Sequence, residues 1–149
     1  MTDPLRPAPP AAAGPAPPAP AARSLYDRLG GYDALAAATN DLMARLFADP
    51  QLGVYWKGKG HDGKQRDIQL IITYMVAAAG GPAHYGGRDM RLTHAGLGIT
   101  EGEWRAFMGH AAATLERFAV PEREAQEVLD FFDSRKGDVV EQAPAAAGR

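Results

Sequence analysis

The chain contains no cysteine, which excludes disulfides, thiolate metal sites, iron–sulfur clusters and a cysteine nucleophile. It has no marked excess of charge: 16 Lys+Arg stand against 18 Asp+Glu, a formal net charge of −2. So weak a field does not gather nucleic acid. Long apolar runs are missing too, and none reaches the roughly eighteen residues that a bilayer span needs. The N-terminal stretch lacks the continuous apolar core of a secretory signal, so the cytoplasm is the expected location. What is present is ordinary for a soluble protein: 149 residues, 46% apolar and 23% charged, enough for one folded unit with a sizeable core. With thiols absent, the four histidines are the side chains best suited to bind a transition metal.

Proline is scarce except at one end. Eight of the 12 prolines lie between Pro4 and Pro20, interleaved with six alanines. Such a segment cannot bury enough apolar surface to offset the entropy of ordering it. Residues 1–23 are therefore expected to form a disordered or polyproline-like tail and residues 143–149 a second frayed end. The folded domain is expected over 24–142. No internal repeat is visible.

Inside that domain the apolar spacing is helical almost throughout, and no segment alternates as a strand does. A short helix over Ser24 to Leu29 stops at Gly30-Gly31. A longer one from about Asp33 to Ala48 carries Leu35, Thr39, Leu42, Met43 and Leu46 at three- and four-residue steps, and Asp49-Pro50 ends it. Gly58 to Gly63 is expected to be a loop, followed by a helix from about Lys64 to Ala79 that closes at Gly80-Gly81-Pro82. Thr100 with Glu103 forms a capping box ahead of a helix presenting Trp104, Phe107, Met108, Ala111, Leu115 and Phe118. Pro121 suits the first turn of a last helix, with Ala125, Val128, Leu129, Phe132, Val139 and Val140 as its stripe. The expected fold is all-α, with five or six helices.

The stretch from His84 to Ile99 is different. It is glycine-rich and leaves room for only a short helix near Met90 to Ala95, and a compact helical domain seldom keeps so long an irregular connection unless it serves a ligand. His94 lies in it, just before Ala95-Gly96-Leu97-Gly98-Ile99. A histidine held by its neighbours on a short helix can present an imidazole nitrogen to a metal in an apolar crevice. The alternative is a surface or hydrogen-bonded histidine, the commoner fate of an isolated one.

The ordered segments SLYDRLGG, ADPQL, VYW, KQRDIQL, AGGP, YGGRDM, THAGLGI and GHAAATLERFAVP resemble those of a group I truncated haemoglobin, from Ser24 to Glu141. The resemblance implies a shortened globin, two helices packed over two around haem, with the glycine pairs at sharp turns between helices. It implies that His94 is the proximal histidine, binding the iron through Nε2 and leaving the sixth position available. On the third helix Gln65, Ile68, Gln69, Ile72 and Val76 share a face. Gln69 corresponds best to the family's distal glutamine, an amide that can hydrogen-bond bound dioxygen, and Gln65 lies one turn earlier. Both reaching solvent is the other reading. Tyr55 and Trp56 stand where the family packs aromatic residues on haem, though either is also ordinary core.

One position departs from the family. Many members carry a distal tyrosine after a phenylalanine in the second helix, and here that pair is Leu42-Met43, which has no donor. Its loss is expected to weaken dioxygen retention unless Gln69, Gln65 or Tyr74 compensates. Arg88 and Arg91 are candidates for the haem propionates, with exposed salt bridges as the alternative; Lys64 has the same two readings. His110 reads as a packed, hydrogen-bonded side chain and His61 as a loop residue. The expected function is reversible binding of dioxygen or another diatomic gas. The alternatives are nitric-oxide dioxygenation, which needs an external reductase, and a helical interaction module without a cofactor, for which the proline-rich tail is the main support.

Overall fold

The computed structural model describes residues 23–141; apart from Arg23, the two expected tails lie outside them. Seven α-helical segments follow one another: α1 Leu25–Leu29, α2 Gly31–Ala48, α3 His61–Ala78, α4 Met90–His94, α5 Glu101–Arg117, α6 Glu122–Ser134 and α7 Lys136–Val139, with a single 3₁₀ turn at Gly53–Trp56 between α2 and α3. No strand occurs among the described residues. The pairs α2–α3 and α5–α6 pack together mainly through α2 against α5.

Local chemistry accounts for most boundaries. The Ser24 hydroxyl accepts a hydrogen bond from the Asp27 N–H at the start of α1, and Gly30, at φ +107°, ends α1 and begins α2 in the left-handed region that disfavours side chains. The α2 stripe is as its spacing predicts: Leu35, Thr39, Leu42, Met43 and Leu46 are its buried residues. Both halves of the capping box form at α5, Glu103 N–H to the Thr100 hydroxyl at 3.1 Å and Thr100 N–H to the Glu103 carboxylate at 3.0 Å.

Other boundaries differ from expectation. Helix α3 begins at His61 rather than Lys64, because Gly60 is extended and its carbonyl accepts from Lys64 N–H. The last helix breaks at Arg135 and resumes as α7, and Pro121 sits at the cap of α6 instead of within its first turn. Phe118, expected on the core face of α5, is half-exposed at the point where that helix ends.

Polar ties cross the layers. Arg28 of α1 donates to Glu124 and Glu127 of α6. Asp41 of α2 accepts from Arg45, Thr114 and Arg117. The His110 imidazole pairs with Asp49 at 2.6 Å, which holds the Asp49 carboxyl below its ordinary pKa and fixes the end of α2 against α5. His110 is the packed, hydrogen-bonded side chain that its place on an apolar helix predicts.

Candidate haem site

The connection from Gly80 to Thr100 is held by its own polar contacts. The Tyr85 hydroxyl donates to the Arg88 carbonyl at 2.6 Å, and the Asp89 carboxylate caps α4 through Leu92 N–H at 2.8 Å. Beyond α4 the Glu141 carboxylate accepts from Gly96 N–H at 3.0 Å and Gly98 N–H at 2.5 Å, while Glu141 N–H donates to the Ile99 carbonyl. Gly96 and Gly98 both have positive φ, so the turn that Glu141 clasps is one that other residues would strain. Those two N–H groups hold the Glu141 carboxyl below its ordinary pKa.

Within that frame His94 is fixed by its own helix: its Nδ1 lies 2.8 Å from the Met90 carbonyl. A carbonyl only accepts, so Nδ1 carries the proton, and in the neutral imidazole the lone pair is on Nε2. His94 lines a cavity of about 410 Å³. Met90, Thr93, Leu97 and Ile99 form the rest of that wall. The α2 and α3 wall is Leu42, Met43, Leu46, Asp67, Leu70, Ile71, Tyr74 and Met75. Trp104, Phe107, Phe131 and Phe132 close the inner end, with Phe107 5.2 Å from both Trp104 and Phe132.

Of the residues expected at the site, His94, Met43, Tyr55 and Trp56 line this cavity. The Tyr55 hydroxyl donates to Glu103 at 2.7 Å; burial first, then that contact, pushes its pKa up to about 12. Trp56 packs edge-on against Phe47 at 5.1 Å while also bordering the cavity. The remaining five expected residues lie elsewhere. Gln65 and Gln69 are exposed, and the Gln69 amide donates to the Tyr32 hydroxyl at 3.0 Å. Ile72 is buried with Ile68 and Val76 in the core. The reason is helical phase: at about 100° per residue, Gln65 and Gln69 stand nearly opposite Ile71 and Tyr74. Arg88 is exposed and Arg91 pairs with Asp138 at 2.9 Å; neither borders the cavity.

Two cations that do border it were not anticipated. Lys59 pairs with Asp67 at 2.7 Å, and the Arg135 guanidinium lies over the Phe131 ring at 5.5 Å. Their sequence signal was faint, since Lys59 follows Gly58 and Arg135 follows Ser134 with no motif around either. Tyr74, edge-on to Tyr85 at 5.1 Å, has its hydroxyl pKa raised by burial. Lys64, one of the propionate candidates, lies over Phe47 at 5.1 Å instead. A second apolar cavity of about 240 Å³ shares Leu42, Met75, Phe131 and Phe132 with the first.

The residues fit haem on their own chemistry. The cavity is large, largely apolar and aromatic, one imidazole on its wall has Nδ1 engaged by a backbone carbonyl, and cations stand on its border. An all-helical frame built around such a cavity defines a haem-binding protein of the globin class.

Comparison with known proteins agrees. The family model described as bacterial-like globin matches residues 24–141. The group 1 truncated hemoglobin of Mycolicibacterium paratuberculosis is 35% identical over 109 residues, 71% of this chain and 76% of that protein. That of Nostoc commune is 28% identical over 117 residues, 78% and 97% of the two chains. Among solved structures, the Fe(III) truncated hemoglobin of Tetrahymena pyriformis superposes with a TM-score of 0.73 at 22% identity, covering 80% of this chain and all of that one. The chain belongs to the bacterial-like globin family and, within it, to the group I truncated haemoglobins, with haem as its cofactor. Its α2–α3 and α5–α6 pairs are the two-over-two arrangement that the resemblance implies.

Proposed function

We propose that this chain holds haem through His94 and binds a diatomic gas reversibly on the opposite side. The observation that carries the proposal is the Nδ1 contact of His94 to the Met90 carbonyl, on a residue that lines an apolar cavity, which supports Nε2 as the nitrogen free for iron. That contact fixes ring orientation and raises ligand basicity. Haem supplies an iron centre that takes up small gases; the protein supplies ligation, polarity and access. Lys59 and Arg135, which border the cavity, are the cations placed to meet propionates, in place of Arg88 and Arg91. Tyr55 and Trp56 line the same cavity and would pack against the ring, and the aromatic residues there would keep its surroundings apolar.

Dioxygen carriage and nitric-oxide dioxygenation are the two specific uses that the resemblance implies. Both need dioxygen to be retained, and the second also needs a reductase. The interaction-module reading has no support in the described residues, whose cavity is the feature it would leave unexplained. Absorption spectra of the ferric, ferrous and ferrous–carbon monoxide forms test the proposal beside His94→Ala. The expected result is a haem spectrum that depends on His94. An unchanged spectrum in the variant would remove His94 from the iron.

A further inference from the structure

A gas pocket selects among diatomic ligands by the polar groups it offers them. Dioxygen draws partial negative charge onto its outer atom when it binds, so it gains from a nearby N–H or O–H, whereas carbon monoxide and nitric oxide gain far less. Among the α2 and α3 side chains that border the cavity only Asp67 and Tyr74 are polar. Asp67 is an acceptor already paired with Lys59 at 2.7 Å, and its charge has the wrong sign for an electron-rich atom. Tyr74 is held edge-on by Tyr85 and lies against Phe131 of α6, so its ring is packed against the connection and α6.

The rest of that wall, Leu42, Met43, Leu46, Leu70, Ile71 and Met75, carries no donor at all. The glutamines that would supply one are on the far side of α3, with Gln69 tied to Tyr32. Tyr55 and Tyr85, the other hydroxylated aromatics on the cavity, already donate to Glu103 and to the Arg88 carbonyl.

We propose that this site discriminates against dioxygen in favour of diatomic ligands that need no hydrogen bond, carbon monoxide and nitric oxide, and that Met43 and Ile71 are the residues that set this preference. The inference rests on haem being held by His94. Met43 is almost fully buried, and neither it nor Ile71 has a hydrogen atom to give.

The test uses full-length protein loaded with haem, with carbon monoxide and dioxygen as probes. Wild type is expected to form a stable carbon monoxide complex and to lose dioxygen quickly. Ile71→Gln, which adds an amide to the wall, is expected to slow dioxygen loss roughly tenfold, the effect of one charge-assisted hydrogen bond, and to lower the C–O stretching frequency of the carbon monoxide complex. Met43→Tyr is the second variant, should Ile71→Gln fold poorly, with the same expected direction. Gln69→Leu is expected to leave both rates unchanged. A tenfold faster loss of dioxygen in Tyr74→Phe or in Gln69→Leu would overturn the proposal by revealing a donor already in place. Equal dioxygen loss from wild type and both added-donor variants would overturn it as well. A chain that takes up no haem at all would overturn the reading of the site itself, and this inference with it.

Discussion

The α2–α3–α5 frame and the connection that carries His94 are built by different means. The frame is held by burial: α2 alone contributes five buried residues and α3 contributes Ile68, Ile72 and Val76. Helix α4 contributes none. Its position depends on single contacts: the Asp89 cap, the Tyr85 hydroxyl, the Arg91–Asp138 pair and the Glu141 clasp on Gly96 and Gly98. Packing is distributed over many weak contacts and fails as a whole. A handful of hydrogen bonds can instead open locally while the rest stays folded. The side that carries His94 is thus adjustable without unfolding the domain, and the α2–α3 wall is not.

The contrast is sharpened most by Ile72→Ala. Ile72 belongs to the core between α3 and α2, so truncation should lower unfolding stability by about 2–5 kcal/mol, measured by chemical denaturation, while the haem spectrum of the folded variant stays as in wild type. A changed spectrum at full stability would return Ile72 to the cofactor.

Glu141→Ala tests the other region. Freeing the Gly96 and Gly98 N–H groups should raise the rate of haem loss to an acceptor globin roughly tenfold, the lower end of what outer contacts contribute to metal affinity. Its denaturation midpoint without haem should hardly move. If haem loss were unchanged, the clasp would not be what positions His94.

The smallest effect belongs to Asp41, on the frame. The Arg45 contact first, then Thr114 and Arg117, holds its carboxyl below the ordinary value of 3.8. A depressed carboxyl contributes stability above that value and loses it as the pH falls through the folded one. Wild type should therefore lose stability more steeply than Asp41→Asn below about pH 4, a difference within ~1 kcal/mol because solvent reaches both arginine partners. Thermal melts across that range would detect it, and parallel melting curves would exclude it.

How much of this was legible in the sequence follows from the same contrast. The α2 stripe, the capping box, the glycine stops and the short helix ending at His94 are local signals, and each is found within a few residues of where spacing and cap chemistry place it. The face of α3 that meets the cavity was not legible. Gln65, Gln69, Ile72 and Val76 recur at three- and four-residue steps, but Asp67, Ile71, Tyr74 and Met75 do so equally well. Periodicity says that a helix has an apolar face and cannot say what that face meets. The clue was that α3 is apolar on two sides, with Leu70, Ile71, Tyr74 and Met75 beside Ile68, Ile72 and Val76, as a helix wedged between a core and a ligand must be. Lys59 and Arg135 were missed because they reach the cavity from the 3₁₀ turn's exit and from the break after α6. Neither boundary carries a strong local signature.

The second apolar cavity, about 240 Å³ and walled by Leu42, Met75, Phe131 and Phe132 among others, adjoins the first and adds to the apolar volume inside the domain. Empty volume inside a folded chain is surrendered when the chain unfolds. This domain should accordingly be soft to hydrostatic compression for its size, yielding first where the shared phenylalanines separate the two chambers.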